Sequence, residues 1–123
     1  MDTPAVPHCV IVCSRCRDDR TREPGAAFLL PRLAEALDPA AFRIETVDCM
    51  AACERPIAVA FRAAGKTTYM FGDIDAAGDA QPLADFARLY ASLADGWCNE
   101  GQRPAGLRGK TLARIPPDRM CTQ

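Results

Sequence analysis

The chain has 123 residues, 49% of them hydrophobic and 25% charged, which suits one soluble domain with a single core. Its 15 basic and 16 acidic residues leave a net charge of −1, so there is no electrostatic case for nucleic acid or an anionic membrane surface. Every apolar run falls far short of the ~18 residues of a membrane span.

The opening Met1-Asp2-Thr3-Pro4 lacks the basic start and long apolar stretch of a signal peptide, and a cytoplasmic location is expected. Residues 1–7, with two prolines, read as a lead-in. His8-Cys9-Val10-Ile11-Val12-Cys13 is a short, β-branched, nearly continuous apolar run, as a buried strand requires. Cys13-Ser14-Arg15-Cys16 follows, inside a charged stretch that ends at Pro24-Gly25 and reads as a solvated loop.

Ala26 to Leu37 is expected to be a helix with Leu30, Leu33, Ala34 and Leu37 on its inner face. Pro31 is tolerable only near the helix start, where N–H groups have no internal partner. Asp38-Pro39 ends the helix. Phe42 to Val47 alternates apolar and polar residues, a half-buried strand. A strand, helix and strand in this order imply a right-handed crossover between parallel strands.

Cys49-Met50-Ala51-Ala52-Cys53 follows the second strand. Ile57 to Phe61 reads as a third strand, Ala63-Ala64-Gly65-Lys66 as a turn, and Thr67 to Phe71 as the return of a hairpin. Gly65-Lys66-Thr67 lacks the preceding glycine of a phosphate loop. Pro82 to Ala94 carries Leu83, Phe86, Ala87, Tyr90, Leu93 and Ala94 as one apolar stripe, and Gly96 is placed to stop that helix. From Trp97 onward glycines and prolines break any period, so 97–123 is expected to be an irregular tail on a core of 8–96. The expected fold is one α/β domain over 1–123, a thioredoxin-like β-α-β-β-β-α order with a mixed four-stranded sheet covered by helices.

Seven cysteines and one histidine then decide the chemistry. An odd count does not fit a fully paired disulfide framework, and clustered cysteines in a reducing compartment point to metal or redox work. One histidine excludes zinc sites that need two imidazoles. Cys13 and Cys16 leave the first strand, while Cys49 and Cys53 leave the second. If those strands are parallel neighbours, both loops emerge at one end of the sheet, a usual place for a site in α/β folds. Four thiolates suit a two-iron two-sulfur cluster. Arg15, Arg17 and Arg55 flank them, and positive charge favours thiolate.

The same cysteines also suit zinc, although zinc ribbons usually repeat CxxC. Cys13 and Cys16 alone would make a dithiol for a thiol–disulfide oxidoreductase, but the first cysteine of such a motif sits at a helix N-terminus and here a charged loop intervenes. The plain alternative is that Cys13 and Cys49 are small core residues at strand ends. Cys9 is expected in the core, Cys98 and Cys121 as thiols of the tail, and His8 as an edge or cap residue. Asp48 is a candidate for orienting the loop backbone.

Val12-Cys13, Cys16-Arg17, Cys49-x3-Cys53-x2-Pro56, Gly65-Lys66-Thr67-Thr68-Tyr69-Met70-Phe71-Gly72 and Ala113-Arg114-Ile115-Pro116-Pro117 resemble a family of small uncharacterised bacterial proteins described as predicted metal-binding. That family is in turn similar to the thioredoxin-like 2Fe-2S ferredoxins. The resemblance covers about Cys9 to Pro117. It implies a cluster on Cys13, Cys16, Cys49 and Cys53, a homodimer, and a one-electron carrier for an unidentified redox partner rather than an enzyme. Two departures stand out. The Cys13–Cys16 gap is shorter than in the ferredoxins, so one tight turn must supply both sulfurs. Position 57, often Cys in the family, is Ile57 here.

Overall fold

A computed structural model describes residues 7–14, 25–48 and 57–117. Its elements run β1 (His8–Cys13), α1 (Ala26–Ala36), β2 (Phe42–Val47), β3 (Val59–Ala63), β4 (Thr68–Phe71), α2 (Ala80–Ser92) and β5 (Thr111–Ile115), with 3-10 turns at Glu100–Gln102 and Ala105–Leu107. The strands form one mixed sheet in the order β2-β1-β3-β4-β5. β1 and β2 are parallel, with His8 opposite Phe42 and Cys13 opposite Val47. β3 runs antiparallel to β1, β4 to β3 and β5 to β4.

β1 is buried along its whole length because it lies between β2 and β3. Its Val10 and Val12 join Leu29, Leu33, Phe42, Val59, Phe61, Tyr69, Phe71, Leu83, Phe86 and Tyr90 in the main core. Phe61 is central there, with its ring edge-on to Phe42, Phe71, Phe86 and Tyr90. Cys9, Ile11 and Ala60 make a small second cluster, as the alternation of bulky residues and alanines along β3 requires.

The buried side of α1 is Ala26, Leu29 and Leu33, with Leu37 at its C-cap; Leu30 is half-buried and Ala34 is exposed. Leu33 and Leu37 face the core as expected, while Ala26 and Leu29 face it instead of Ala34 and the half-buried Leu30. Pro31 is the sixth residue of the helix and exposed. It leaves the Ala27 carbonyl without an intrahelical donor, and the solvent exposure of Ala27 lets water supply one. α2 starts two residues before Pro82, which sits in the first turn where N–H groups lack internal acceptors. It buries Leu83, Ala84, Phe86, Ala87 and Tyr90. Gly96 does not end this helix, because Leu93 is already extended. Instead its φ of +74° lets the backbone pass the Tyr90 ring, which a Cβ would meet at 2.7 Å.

Residues 97–117 are ordered, and they overturn the expectation of an irregular tail from 97 and of a four-stranded sheet; 118–123 lie outside the described residues. Its last described segment is the fifth strand, in register with β4 from Thr68 opposite Ile115 to Phe71 opposite Thr111, with an irregularity between Met70 and Phe71. The five-residue run Thr111-Leu112-Ala113-Arg114-Ile115 is too short to stand out between Gly109 and Pro116 by period alone. What fixes it is a polar knot. The Tyr69 hydroxyl accepts from the Cys98 N–H at 2.9 Å and donates to the Gly96 carbonyl at 2.8 Å. Arg103, 4% exposed, donates to Thr111 Oγ1 at 2.8 Å, to the Cys98 carbonyl at 3.2 Å and to Glu100 at 3.3 Å. Lys110 pairs with the largely buried Asp79 at the start of α2.

Candidate metal centre

Of the four predicted ligands, Cys13 is described, whereas Cys16, Cys49 and Cys53 lie outside the described residues, as do Arg15, Arg17, Arg55 and Cys121. Among the described residues no group of three or more His, Cys, Asp and Glu could hold a metal ion. The described flanks nonetheless bring both cysteine-bearing segments to one place. Because β1 and β2 are parallel and paired from end to end, Cys13 and Val47 finish side by side. The pairing continues one residue beyond, where the Ser14 N–H donates to the Val47 carbonyl at 2.8 Å and the Ser14 hydroxyl to the same oxygen at 3.1 Å.

The second segment returns on the other side of β1. Ala58 leads into β3, and its carbonyl accepts from the Cys13 N–H at 3.0 Å. The chain therefore leaves β2 on one flank of Cys13 and re-enters the sheet on the other. Those flanks are about 10 Å apart, two strand spacings, and Cys49 to Cys53 belong to the segment that joins them.

Cys13 itself is 1% exposed, and its thiol donates to the Asp48 carbonyl at 3.7 Å. That carbonyl belongs to the residue bonded to Cys49, so the sulfur of the first pair points at the start of the second. The Asp48 contact with Cys13 is made by its backbone carbonyl; the loop that its side chain was expected to orient lies outside the described residues. Cys9 and Cys98 form no disulfide. Cys9 lies two side-chain positions back along β1, and burial, followed by the nearby Glu45 carboxylate, pushes its thiol up. Neutral Cys9 suits a packing residue. Cys98 is buried against the Tyr69 hydroxyl, 3.4 Å from its sulfur, at the tail knot and not at the strand ends that carry Cys13.

Spacing alone did not point to a support at the segment's exit. Ile57, fully buried, exchanges backbone bonds with Ile74: its N–H donates to the Ile74 carbonyl at 3.5 Å, and the Ile74 N–H donates back at 3.2 Å. The next turn is tied to the tail by the Gly72 N–H donating to the Lys110 carbonyl at 2.9 Å. An apolar Ile57 followed by a buried Ile74 is ordinary core patterning, so the only signal was hydrophobicity. The pair fixes where the chain enters β3 and explains why that strand starts at Val59 rather than Ile57.

His8 stands at the other end of β1, roughly 16 Å away at strand rise. Its Nδ1–H donates to the Ala41 carbonyl at 3.0 Å, and Nε2 accepts from the Lys66 ammonium, also at 3.0 Å. An ammonium only donates, which fixes the tautomer. Lys66 also donates to the Tyr90 carbonyl at 2.8 Å near the C-terminus of α2. Both nitrogens of His8 are thus spent on structure.

Four cysteine thiolates together would be a soft donor set, of the kind that fits an iron–sulfur cluster or zinc by chemistry, and Cys13 is the one expected ligand among the described residues. Neither a curated protein nor a solved structure matches the chain. Residues 10–117, from β1 to just past β5, match the family described as a protein of unknown function (DUF1636), and the chain belongs to that family.

Proposed function

We propose that the chain is a 2Fe-2S protein that passes single electrons to and from a redox partner protein, with Cys13, Cys16, Cys49 and Cys53 as the ligands. The observation that carries this is the Cys13 thiol directed at the Asp48 carbonyl, at the end of the sheet where both cysteine pairs attach. The strand order β2-β1-β3-β4, with β3 antiparallel to both neighbours, supports a thioredoxin-like scaffold to which β5 is added. Bound there, a two-iron cluster supplies one reversible electron without bond making in a substrate, so the chain is a carrier and not an enzyme.

The chain's own residues do the rest. Cys13 gives up its proton to become a ligand, because the thiolate and not the thiol binds metal. Burial around Val12, Cys13, Ile57 and Ala58 keeps water from that sulfur. The Ile57–Ile74 and Cys13–Ala58 backbone bonds hold the two flanks at a set separation, which preorganises the ligand segments.

α1 begins at Ala26, well along the chain from Cys13. Among the described residues, then, α1 does not supply the adjacent helix start that a dithiol oxidoreductase uses to activate its first thiol. The test is the anaerobically purified chain. A visible charge-transfer spectrum that bleaches on reduction, with two irons and two sulfides per chain, is the expected result. One zinc and no colour would assign the same cysteines to a redox-inert metal. A colourless, metal-free protein with a reversible Cys13–Cys16 disulfide would replace the proposal with the thiol enzyme.

A further inference from the structure

We propose that the cavity between β5 and the 3-10 turn at Glu100–Gln102 binds the phosphoryl group of a small molecule. The site shares no residue with the candidate metal centre, and the proposal does not rest on that reading.

The cavity holds about 390 Å³ and is lined by Asn99, Glu100, Arg103, Thr111 and Arg114, a size usual for small-molecule sites. The irregularity in β5 brings two of these residues together. Met70 stands opposite Ala113 and Phe71 opposite Thr111, so the register skips Leu112. In a regular strand Thr111 and Arg114, three positions apart, would lie on opposite faces. With Leu112 skipped, Arg114 lies opposite Tyr69 and Thr111 opposite Phe71, whose stacked rings mark one face of the sheet. Bulges re-aim side chains in this way beside functional sites. Arg103 covers the same face, its guanidinium carbon 5.4 Å from the Tyr69 ring centroid.

The charge there is positive. Residues 97–117 carry four basic residues, Arg103, Arg108, Lys110 and Arg114, and one acidic residue, Glu100, in a chain of net charge −1. Two of the cations meet at one atom: Arg103 Nη2 donates to the Cys98 carbonyl at 3.2 Å, and Arg114 Nη1 donates to the same oxygen at 2.8 Å. Like charges held this close repel, and an anion between them offsets the cost. Glu100 does so only in part. One carboxylate oxygen accepts from Arg103 Nη1 at 3.3 Å and the other from the Gly109 N–H at 2.9 Å, which leaves one positive charge in excess along the lining.

Donors are left over as well. Arg103 is 4% exposed, and among the described residues its buried Nε–H has no acceptor, a rare condition that calls for a ligand or water. Arg114 is exposed, and its guanidinium lies 3.8 Å from the Trp97 ring centroid, which orients it. Thr111 accepts from Arg103, so its own hydroxyl hydrogen is left to donate. Asn99 spends its Oδ1 on the Gln102 N–H at 3.0 Å, which leaves the amide NH₂. Two guanidinium groups, a hydroxyl and an amide suit a tetrahedral anion better than a planar carboxylate with two oxygens. Arginine is also the side chain best shaped for phosphate. The net negative charge of the whole chain disfavours a polyanion, so the phosphoryl group belongs to a small molecule.

Isothermal titration of the full chain with inorganic phosphate at constant ionic strength tests this. Fluorescence of Trp97, the one tryptophan, is followed alongside. Phosphate should bind with a dissociation constant of about 1 mM or tighter and shift the fluorescence, and acetate should bind about tenfold more weakly or worse. Arg114→Gln should weaken phosphate binding about tenfold or more. Glu100→Gln removes a repelling carboxylate and should tighten binding about threefold or more, a gain that a misfolded variant cannot produce. Arg88→Gln removes a cation that pairs with Asp85 on α2 and should change nothing. Phosphate that binds no tighter than acetate would overturn the proposal, as would Arg114→Gln binding like the wild type. So would Glu100→Gln without a gain, or Arg88→Gln with the same loss as Arg114→Gln. Phenyl phosphate separates the two sources of the group: tighter binding than phosphate supports an ester as the ligand, and equal or weaker binding supports the free ion.

Discussion

The Cys13 thiol donates to the Asp48 carbonyl at 3.7 Å across the parallel pair β1 and β2. The contact joins two residues that are 35 positions apart, each at the edge of a cysteine-bearing segment. It exists because the crossover helix α1 returns the chain parallel to β1 and in register to the last residue, so both strands end level.

The first prediction separates ligands from packing thiols. Cys13→Ser should lower bound iron by more than tenfold, since a serine oxygen is a poor substitute for a soft thiolate. Cys98→Ser should leave iron unchanged, because Cys98 packs on Tyr69 at the tail knot. Equal loss in both, read by iron and sulfide assay, would contradict the assignment of Cys13.

The second concerns His8. Burial, opposed by its bond to Ala41 and aided by the Lys66 ammonium, holds its imidazole below the ordinary value of 6.5. The folded state therefore prefers neutral His8. In the unfolded chain the ring takes a proton as the pH falls through about 6.5, so the stability His8 gives is full above that point. It is lost progressively until the folded pKa is passed. Urea midpoints of the wild type and His8→Gln, compared from pH 8 to pH 5, should converge on acidification. A difference that widens toward low pH would contradict the sign.

The third concerns Tyr69. Burial, then the neighbouring Cys98, pushes its phenol up to about 12, so it stays a neutral donor and acceptor through the physiological range. Tyr69→Phe keeps the ring stack on Phe71 but strands the Gly96 carbonyl and Cys98 N–H. The cost should be about 1–3 kcal/mol, read as a lower urea midpoint at unchanged slope. Hydrogen exchange in β5 should quicken with it, because the knot anchors the tail. A neutral substitution would show that the knot does not hold β5.

The fourth uses two glycines with nearly equal torsions. Gly65 and Gly96 have φ of +73° and +74°. A Cβ on Gly65 meets nothing within 4 Å, so Gly65→Ala should cost only the backbone penalty of about 1–2 kcal/mol. A Cβ on Gly96 meets the Tyr90 ring at 2.7 Å, so Gly96→Ala must also move that ring, whose hydroxyl donates to the Thr67 carbonyl at 2.6 Å. Thermal denaturation should rank Gly96→Ala clearly below Gly65→Ala. The reverse order would contradict the packing described for Tyr90.

The strands β1 and β2 were legible residue for residue, because a β-branched buried run and a clean alternation are local signals. Both helices were legible as helices, and Leu33 and Leu37 face the core as expected, but Leu29 is buried more deeply than Leu30: both are apolar, and only the sheet decides which faces in. The tail was not legible. Its order comes from bonds that tie Cys98 and Arg103 to each other and Cys98 to the distant Tyr69, and no periodicity encodes them. At the site, the shared end of β1 and β2 followed from the β-α-β order alone. The Ile57–Ile74 support did not, since reciprocal backbone bonds leave no mark on side-chain type.

The most direct test of the central claim is the visible spectrum of the wild-type chain purified without oxygen, taken before and after reduction with the iron and sulfide content of the same sample. Bands that bleach with one electron per chain, at two irons and two sulfides, are the predicted result. A colourless chain free of iron under those conditions would contradict the proposal that Cys13 and its partners hold a two-iron cluster.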